Sequence, residues 1–326
     1  MGEFDLIARH FTRAVRHAAL GVGDDCALLN ISPAHQLATS CDMLVEGRHF
    51  FSDVDPRTLG HKALAVNLSD LAACGAKPLA FTLALSLPAV DDPWLAAFAQ
   101  GLFALADAHA CELIGGDTTQ GPLNICITVY GEVPLLDGRT QALLRSGAQA
   151  GDELYVSGSI GDARMALDAL EGRITLPAHV LAQARKRLEC PTPRVALGMA
   201  LRGLASAAID LSDGLVGDLH HVLKCSGMGA TVQADVVAQA VAARHAFPDL
   251  KLSVAQWRAF ALSGGDDYEL LFTAPARQRD QIVQAAAMTQ TPLHLIGQID
   301  ATPGLRLLDA GGQALGTHYA TFDHFA

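Results

Sequence analysis

Aspartates recur in short glycine- or serine-containing loops along most of this chain: Asp24, Asp25, Asp42, Asp70, Asp117, Asp210, Asp213, Asp266 and Asp267. Most follow or interrupt an apolar run, as in Ala-Ile-Asp210-Leu-Ser-Asp213-Gly-Leu and Leu-Ile-Gly-Gly-Asp117-Thr-Thr. A carboxylate at the end of an apolar strand sits near a buried edge, where an uncompensated negative charge is costly. None of these loops carries a lysine. The simplest counter-ion is a hard divalent metal, which takes oxygen ligands. Carboxylates gathered around such ions suit a polyphosphate substrate.

Each loop alone has a plainer reading. Asp70 reads equally as a helix residue facing water, Ser212 or Asp213 as the cap of the helix that follows, and Gly116-Asp117 and Gly265-Asp266 as ordinary turns. The recurrence of the pattern in several separate loops is what favours a shared cation. Gly21-Val-Gly23-Asp24-Asp25 superficially opens a dinucleotide fingerprint. That motif needs a strand before it, a helix after it and bare amides facing pyrophosphate. Two carboxylates there would repel the phosphates. No Gly-x-x-x-x-Gly-Lys-Ser/Thr loop occurs, which excludes a P-loop kinase, and the protein-kinase motif set is also absent. The Gly158-Ser-Ile-Gly161 loop ahead of a helix reads either as a phosphate cradle of backbone amides or as a plain strand–helix turn.

The 326 residues favour two domains. Half are apolar and 17% charged, enough for a sizeable core. A net charge of −11 argues against nucleic acid or an anionic membrane as partner. No run reaches the length of a membrane span, and the N-terminal residues lack a signal-peptide pattern. The seven Cys form no Cys-x-x-Cys pair and read as reduced thiols, so a cytoplasmic location is expected.

The elements that must position these residues alternate between strand and helix. Residues 35–45 read as a strand delivering Asp42. Residues 56–75 read as a helix stopped by Gly75, with Leu64, Leu68 and Leu71 on one side and Asn67, Asp70 and Cys74 along another. Residues 80–87 and 124–133 are strand-like. Asp92-Pro93 opens a helix to about 111, with Asp92 as its N-cap. The turn-rich stretch 134–151 marks a boundary, dividing the chain into 1–145 and 146–326. Beyond it, strands are expected at 153–156, 207–211, 230–234 and 268–273, and helices at 162–170, 214–225, 254–262 and 277–288. Trp257 and Tyr268 read as packing residues. The class is mixed α/β or α+β in two domains.

Taken together, Gly-Val-Gly-Asp-Asp-Cys-Ala-Leu-Leu at 21–29, Asn-Leu-Ser-Asp-Leu-Ala-Ala at 67–73, Leu-Ile-Gly-Gly-Asp-Thr-Thr at 113–119, Ile-Asp-Leu-Ser-Asp-Gly-Leu at 209–215 and Leu-Ser-Gly-Gly-Asp-Asp-Tyr-Glu-Leu at 262–270 resemble the thiamine-monophosphate kinase family. That family belongs with the aminoimidazole ribonucleotide and selenophosphate synthetases. The resemblance implies ATP-dependent phosphorylation of thiamine monophosphate to thiamine diphosphate with several Mg2+ ions. It implies an N-terminal α/β domain that makes a homodimer and a C-terminal α/β domain, with the ligands in a cleft between them. By position, Asp25, Ser40, Cys41, Asp42, Asp70, Asp117, Asp210 and Asp213 match the magnesium ligands. Gly116, Asp117, Arg145 and Ser212 match ATP contacts, and His49, Asp266 and Phe322 match substrate contacts. No covalent nucleophile or general base is implied. Three positions depart from the family pattern. Cys41 replaces a usual Thr and would contribute only its carbonyl, Asp266 replaces a usual Glu, and Phe322 stands where Tyr is common. The residue pattern by itself also suits a sibling ATP-using enzyme with another small acceptor, or a carboxylate-rich metal-binding protein without turnover.

Overall fold

The computed structural model describes residues 2–316 and Tyr319. Phe322 lies outside the described residues. The chain divides into two compact units, one holding the chain up to Leu71 together with Ala76–Gln141, the other Ala72–Gly75 and the chain from Ala142 onward. No helix among the described residues is long and apolar enough to cross a membrane.

In the first unit, helix α1 (Glu3–His10) is followed by a small ribbon, β1 (Ala18–Leu20) with β2 (Leu28–Leu29). No helix follows the Gly21–Cys26 loop, so the dinucleotide reading fails for want of its second element. The main sheet comprises β3 (His35–Val45), β4 (Lys77–Leu87), β5 (Glu112–Gln120), β6 (Asn124–Leu136) and the short β7 (Arg139–Thr140). Its order is β3-β6-β4-β5, with β7 pairing β6. Only β4 and β5 run parallel. Helix α2 (Pro56–Ala73), as far as Leu71, and helix α3 (Asp92–Ala108) complete the unit.

Alternation along β3 separates its two faces. Leu37, Cys41 and Met43 are exposed, whereas Leu44 is buried and Ser40 and Asp42 are half-buried. On the neighbouring strands Ile125, Ile127, Val129, Phe81, Leu83 and Leu85 are buried. α2 is buried far beyond an amphipathic stripe: every residue from Lys62 to Ser69 is inside. α3 begins one residue earlier than its Asp-Pro signal suggests. Asp91, not Asp92, is the N-cap and accepts from the Trp94 amide at 3.1 Å. Asp92 lies inside the first turn and instead pairs with Arg9 and His10 of α1.

The second unit is built on a six-stranded sheet of β8 (Glu153–Ser157), β9 (Ala207–Asp210), β10 (Gly229–Gln233), β11 (Leu270–Ala274), β12 (Leu293–Asp300) and β13 (Gly304–Leu308). The order is β13-β10-β12-β8-β11-β9, antiparallel except between β10 and β13. Leu154, Val156, Ile209, Leu271, Ile296 and Ile299 form one core with residues of α4 (Asp162–Leu170), α5 (Ala178–Glu189), α7 (Leu215–Ser226) and the helix Val254–Ser263. A shorter helix, α6 (Val195–Ala200), lies between α5 and β9 in the chain. Trp257 is a core residue, as its sequence context suggests. On the opposite face of the sheet Tyr155 stacks on Phe272, with ring centroids 5.1 Å apart. The sequence reading did not include β12 and β13.

Candidate active site

The first unit gathers oxygen donors where β3 meets α2. Ser40 and Asp42 stand two apart on β3 and so share its inner face. Asn67 and Asp70 stand three apart on α2 and share one helix face. The Ser40 hydroxyl donates to Asp70 Oδ2 at 2.5 Å. The Asp42 amide donates to Asn67 Oδ1 at 3.0 Å, and Asn67 Nδ2 donates to the Ala63 carbonyl, also at 3.0 Å. Asn67 is thus a buried bracket that spans strand and helix with both ends of its amide.

Cys41 falls between these two donors and therefore points to the other face. Its sulfur lies 3.4 Å from Cys126 Sγ on β6. Burial, with Cys41 alongside, pushes the Cys126 thiol up to about 11. The donors left on the inner face are hydroxyl and carboxylate oxygens, which match a hard cation rather than a soft one.

His49 lies in the loop after β3. The Val45 amide donates to its Nδ1 at 3.0 Å, which leaves the proton of a neutral ring on Nε2. The same loop is tied to α2 by Lys62, a buried lysine whose Nζ donates to the His49 carbonyl at 3.3 Å. Lys62 was not among the sequence candidates. Its one sequence signal is a lone lysine in the run Ala63-Leu-Ala-Val, where a cation is out of place.

Gly116 and Asp117 lie on β5 beside Leu83 and Ala84 of β4. Gly116 has φ +149°, and a Cβ there would collide with the Leu83 carbonyl, so the position admits only glycine. Asp117 is exposed. Asp25, also exposed, lies between β1 and β2, and its amide donates to Asp24 Oδ1 at 2.8 Å. Among the described residues no three acidic, imidazole or thiol side chains close into a ready-made metal cage.

The second unit brings together a different set. Asp210 ends β9 and is buried. Ser212, Asp213 and Gly214 turn the chain into α7, whose N-cap is Gly214 rather than Ser212 or Asp213. Asp218, inside α7, reaches back instead: its Oδ2 accepts from the Asp213 and Gly214 amides at 3.2 and 3.1 Å. Burial, reinforced by the Asp213 charge and opposed by the amides and by Arg145, pushes the Asp218 carboxyl up to about 7. Arg145 is therefore close enough to act on this loop. Asp218 lies in the first turn of α7 rather than in a glycine loop, so the loop pattern in the sequence does not pick it out.

Asp266 joins the same loop through its backbone. Its amide donates to the Ser212 carbonyl at 2.9 Å, and a Cβ on Gly265 would clash with that oxygen. Asp267 is buried and accepts from the Gly161 amide with both oxygens, at 2.9 and 3.0 Å. Burial holds its carboxyl well above the usual range.

These bonds rule out the phosphate-cradle reading of residues 158–161. All four amides are already engaged: Gly158 with the Pro292 carbonyl, Ser159 with Glu269, Ile160 with the Ala240 carbonyl and Gly161 with Asp267. Internal carboxylates occupy the positions that a phosphate would take. Glu269 is further held by Ser157 Oγ at 2.7 Å, by Arg187 at 2.9 Å and by Arg194 through two bonds of 2.6 Å.

Residues 23–133 match the AIR synthase related protein, N-terminal domain, family. Over its whole length the chain is 48% identical to thiamine-monophosphate kinase of Salmonella typhimurium, covering 98% of that protein. The crystal structure of thiamine-monophosphate kinase from Stenotrophomonas maltophilia K279a superposes with a TM-score of 0.83 at 44% identity, covering 96% of both chains. AaThiL complexed with AMPPCP and TMP superposes with a TM-score of 0.74 at 25% identity, covering 91% of this chain and 89% of that one.

Proposed function

Since the chain belongs to the thiamine-monophosphate kinase family, we propose that it transfers the γ-phosphoryl group of ATP to thiamine monophosphate, giving thiamine diphosphate. The observation that carries the reading is the oxygen-donor set of Ser40, Asp42 and Asp70, gathered by β3 and α2. A related structure holding AMPPCP and TMP together supports the pairing of substrates.

The acceptor is a phosphate monoester whose second pKa is about 6, so at neutral pH it is already mostly a dianion. No side chain need remove a proton to make the nucleophile. The barrier is repulsion: two like unit charges about 4 Å apart repel by about 4 kcal/mol at an effective dielectric near 20. Divalent cations, when bound, supply the charge that offsets this repulsion and hold the reacting phosphates in line. Asp42, Asp70 and Asp117, with Ser40 and the Cys41 carbonyl, would hold the central ions, and Asp25, Asp210 and Asp213 the flanking ones. Gly116, Arg145 and Ser212 would contact ATP. His49 would donate to an outer phosphate oxygen through Nε2, the nitrogen not engaged by Val45. Asp266 and Phe322 would face the cationic thiazolium. A homodimer in the cytoplasm completes the reading.

ADP release measured with Mg2+ and ATP, with and without thiamine monophosphate, tests it. Release that depends on the acceptor is expected. Asp42→Asn and Asp70→Asn should each lower turnover by orders of magnitude while circular dichroism stays unchanged. Acceptor-independent release, or near wild-type turnover in both variants, would count against the assignment.

A further inference from the structure

We propose that Tyr268 is a substrate-positioning residue, whose hydroxyl sets the orientation of the Asp266 carboxylate toward a cationic acceptor. The inference rests on the reading of Asp266 as a substrate contact given above.

Asp266 and Tyr268 both have left-handed backbone, with φ of 64° and 50°. An aspartate tolerates this region, but a bulky aromatic residue rarely adopts it. The conformation persists because each residue of this segment is pinned. The Asp266 amide donates to the Ser212 carbonyl at 2.9 Å, and the Tyr268 amide to the Leu211 carbonyl at 2.8 Å. Between them the buried Asp267 grips the Gly161 amide with both oxygens. Strain held this firmly is found where a side chain must be delivered to one place.

What the strained backbone delivers is the tyrosine hydroxyl, which donates to Asp266 Oδ1 at 3.3 Å. One carboxylate oxygen is thereby fixed in direction. Packing alone does not require this hydroxyl, because a phenylalanine ring would fill the same half-buried space. The contact also suits a chain with aspartate at this position. The carboxylate stands on a stem one methylene shorter than the glutamate implied by the family resemblance, and its aim matters more than its reach. The ligand class is a cationic heteroaromatic ring, which a carboxylate of fixed orientation would recognise.

A double-mutant cycle on the full chain tests the proposal, with KM and kcat measured for ATP and thiamine monophosphate. The variants are Tyr268→Phe, Asp266→Asn and the pair together. Tyr268→Phe loses one oxygen atom and Asp266→Asn keeps a residue at home in left-handed backbone, so both fold. Tyr268→Phe should raise the KM for thiamine monophosphate about tenfold, the effect of losing one hydrogen bond to a charged group. The KM for ATP and kcat should stay within about twofold, and the tenfold effect should vanish in the Asp266→Asn background. An unchanged KM for thiamine monophosphate, equal rises for both substrates, or the same rise with Asp266→Asn present would overturn the role of Tyr268. A wild-type protein that releases no ADP in response to thiamine monophosphate would overturn the underlying reading instead.

Discussion

Arg194→Met probes the buried ion-pair network beneath the 158–161 loop. Glu269 is fully buried and Arg194 nearly so, with 15% of its side chain exposed. The substitution removes two bonds of 2.6 Å and leaves Glu269 with Arg187, Ser157 and the Ser159 amide. Breaking a buried pair by deleting one partner costs about 3–5 kcal/mol. Here the second guanidinium remains and methionine refills part of the volume, so the loss should lie near the lower end, about 3 kcal/mol. Adding Glu269→Met removes the stranded charge, and the double variant should lose clearly less than the sum of the two single losses. Two units need not unfold together, so the probe must report on one of them. In a Trp94→Phe background Trp257 is the only tryptophan left, and it lies in the core of the second unit. Its fluorescence in urea, read as a midpoint shift at constant slope, gives the free energy. A loss below about 1 kcal/mol, the range of exposed pairs, or strictly additive single and double effects, would refute the reasoning.

Two further outcomes are expected. Gly116→Ala should destabilise the first unit by about 3 kcal/mol or more, since it combines a backbone conformation unsuited to L residues with a clash against the Leu83 carbonyl. Gly23→Ala, where φ is also positive but an added Cβ would meet no atom within 4 Å, should cost distinctly less when the two variants are melted side by side. Asp267→Asn should flatten part of the pH dependence of stability. The folded protein keeps the Asp267 proton at pH values where the unfolded chain has lost it. That contribution is present below the unfolded carboxylate pKa of about 4 and is lost as pH rises through the raised folded value. The Tm of Asp267→Asn relative to wild type should therefore increase between pH 4.5 and 8, and a constant difference would be evidence against the buried acid.

The sequence exposed those parts of the fold that have a strong local period. β3 spans His35–Val45, the range its apolar run predicts, and α2 carries Asn67 and Asp70 on one face as their spacing requires. Register could not be foreseen, and register is what sets Ser40 against Asp70. β12 was missed because His294, Gly297 and Gln298 break its alternation; neighbouring strands, not its own composition, make it a strand. The 158–161 loop stays ambiguous in sequence for a related reason. A glycine loop before a helix looks alike whether its amides face a ligand or the protein's own carboxylates. Only the fold brings Asp267 and Glu269 to it across more than a hundred residues of chain. Asp218 acts over just five residues, but an aspartate in the first turn of a helix reads as an ordinary dipole-favoured residue, and only the fold shows it buried and bonded to the preceding loop.

The helix bearing Asn67 and Asp70 has no free side on which to roll, since its middle turns are enclosed all the way round. The gap between its oxygens and those of β3 is consequently a property of core packing, not of loop mobility. A frame that cannot widen holds the Ser40 hydroxyl and the Asp70 carboxylate at a spacing that neither element can relax alone. Changing that spacing would then require recutting the hydrophobic interior rather than reshaping a loop.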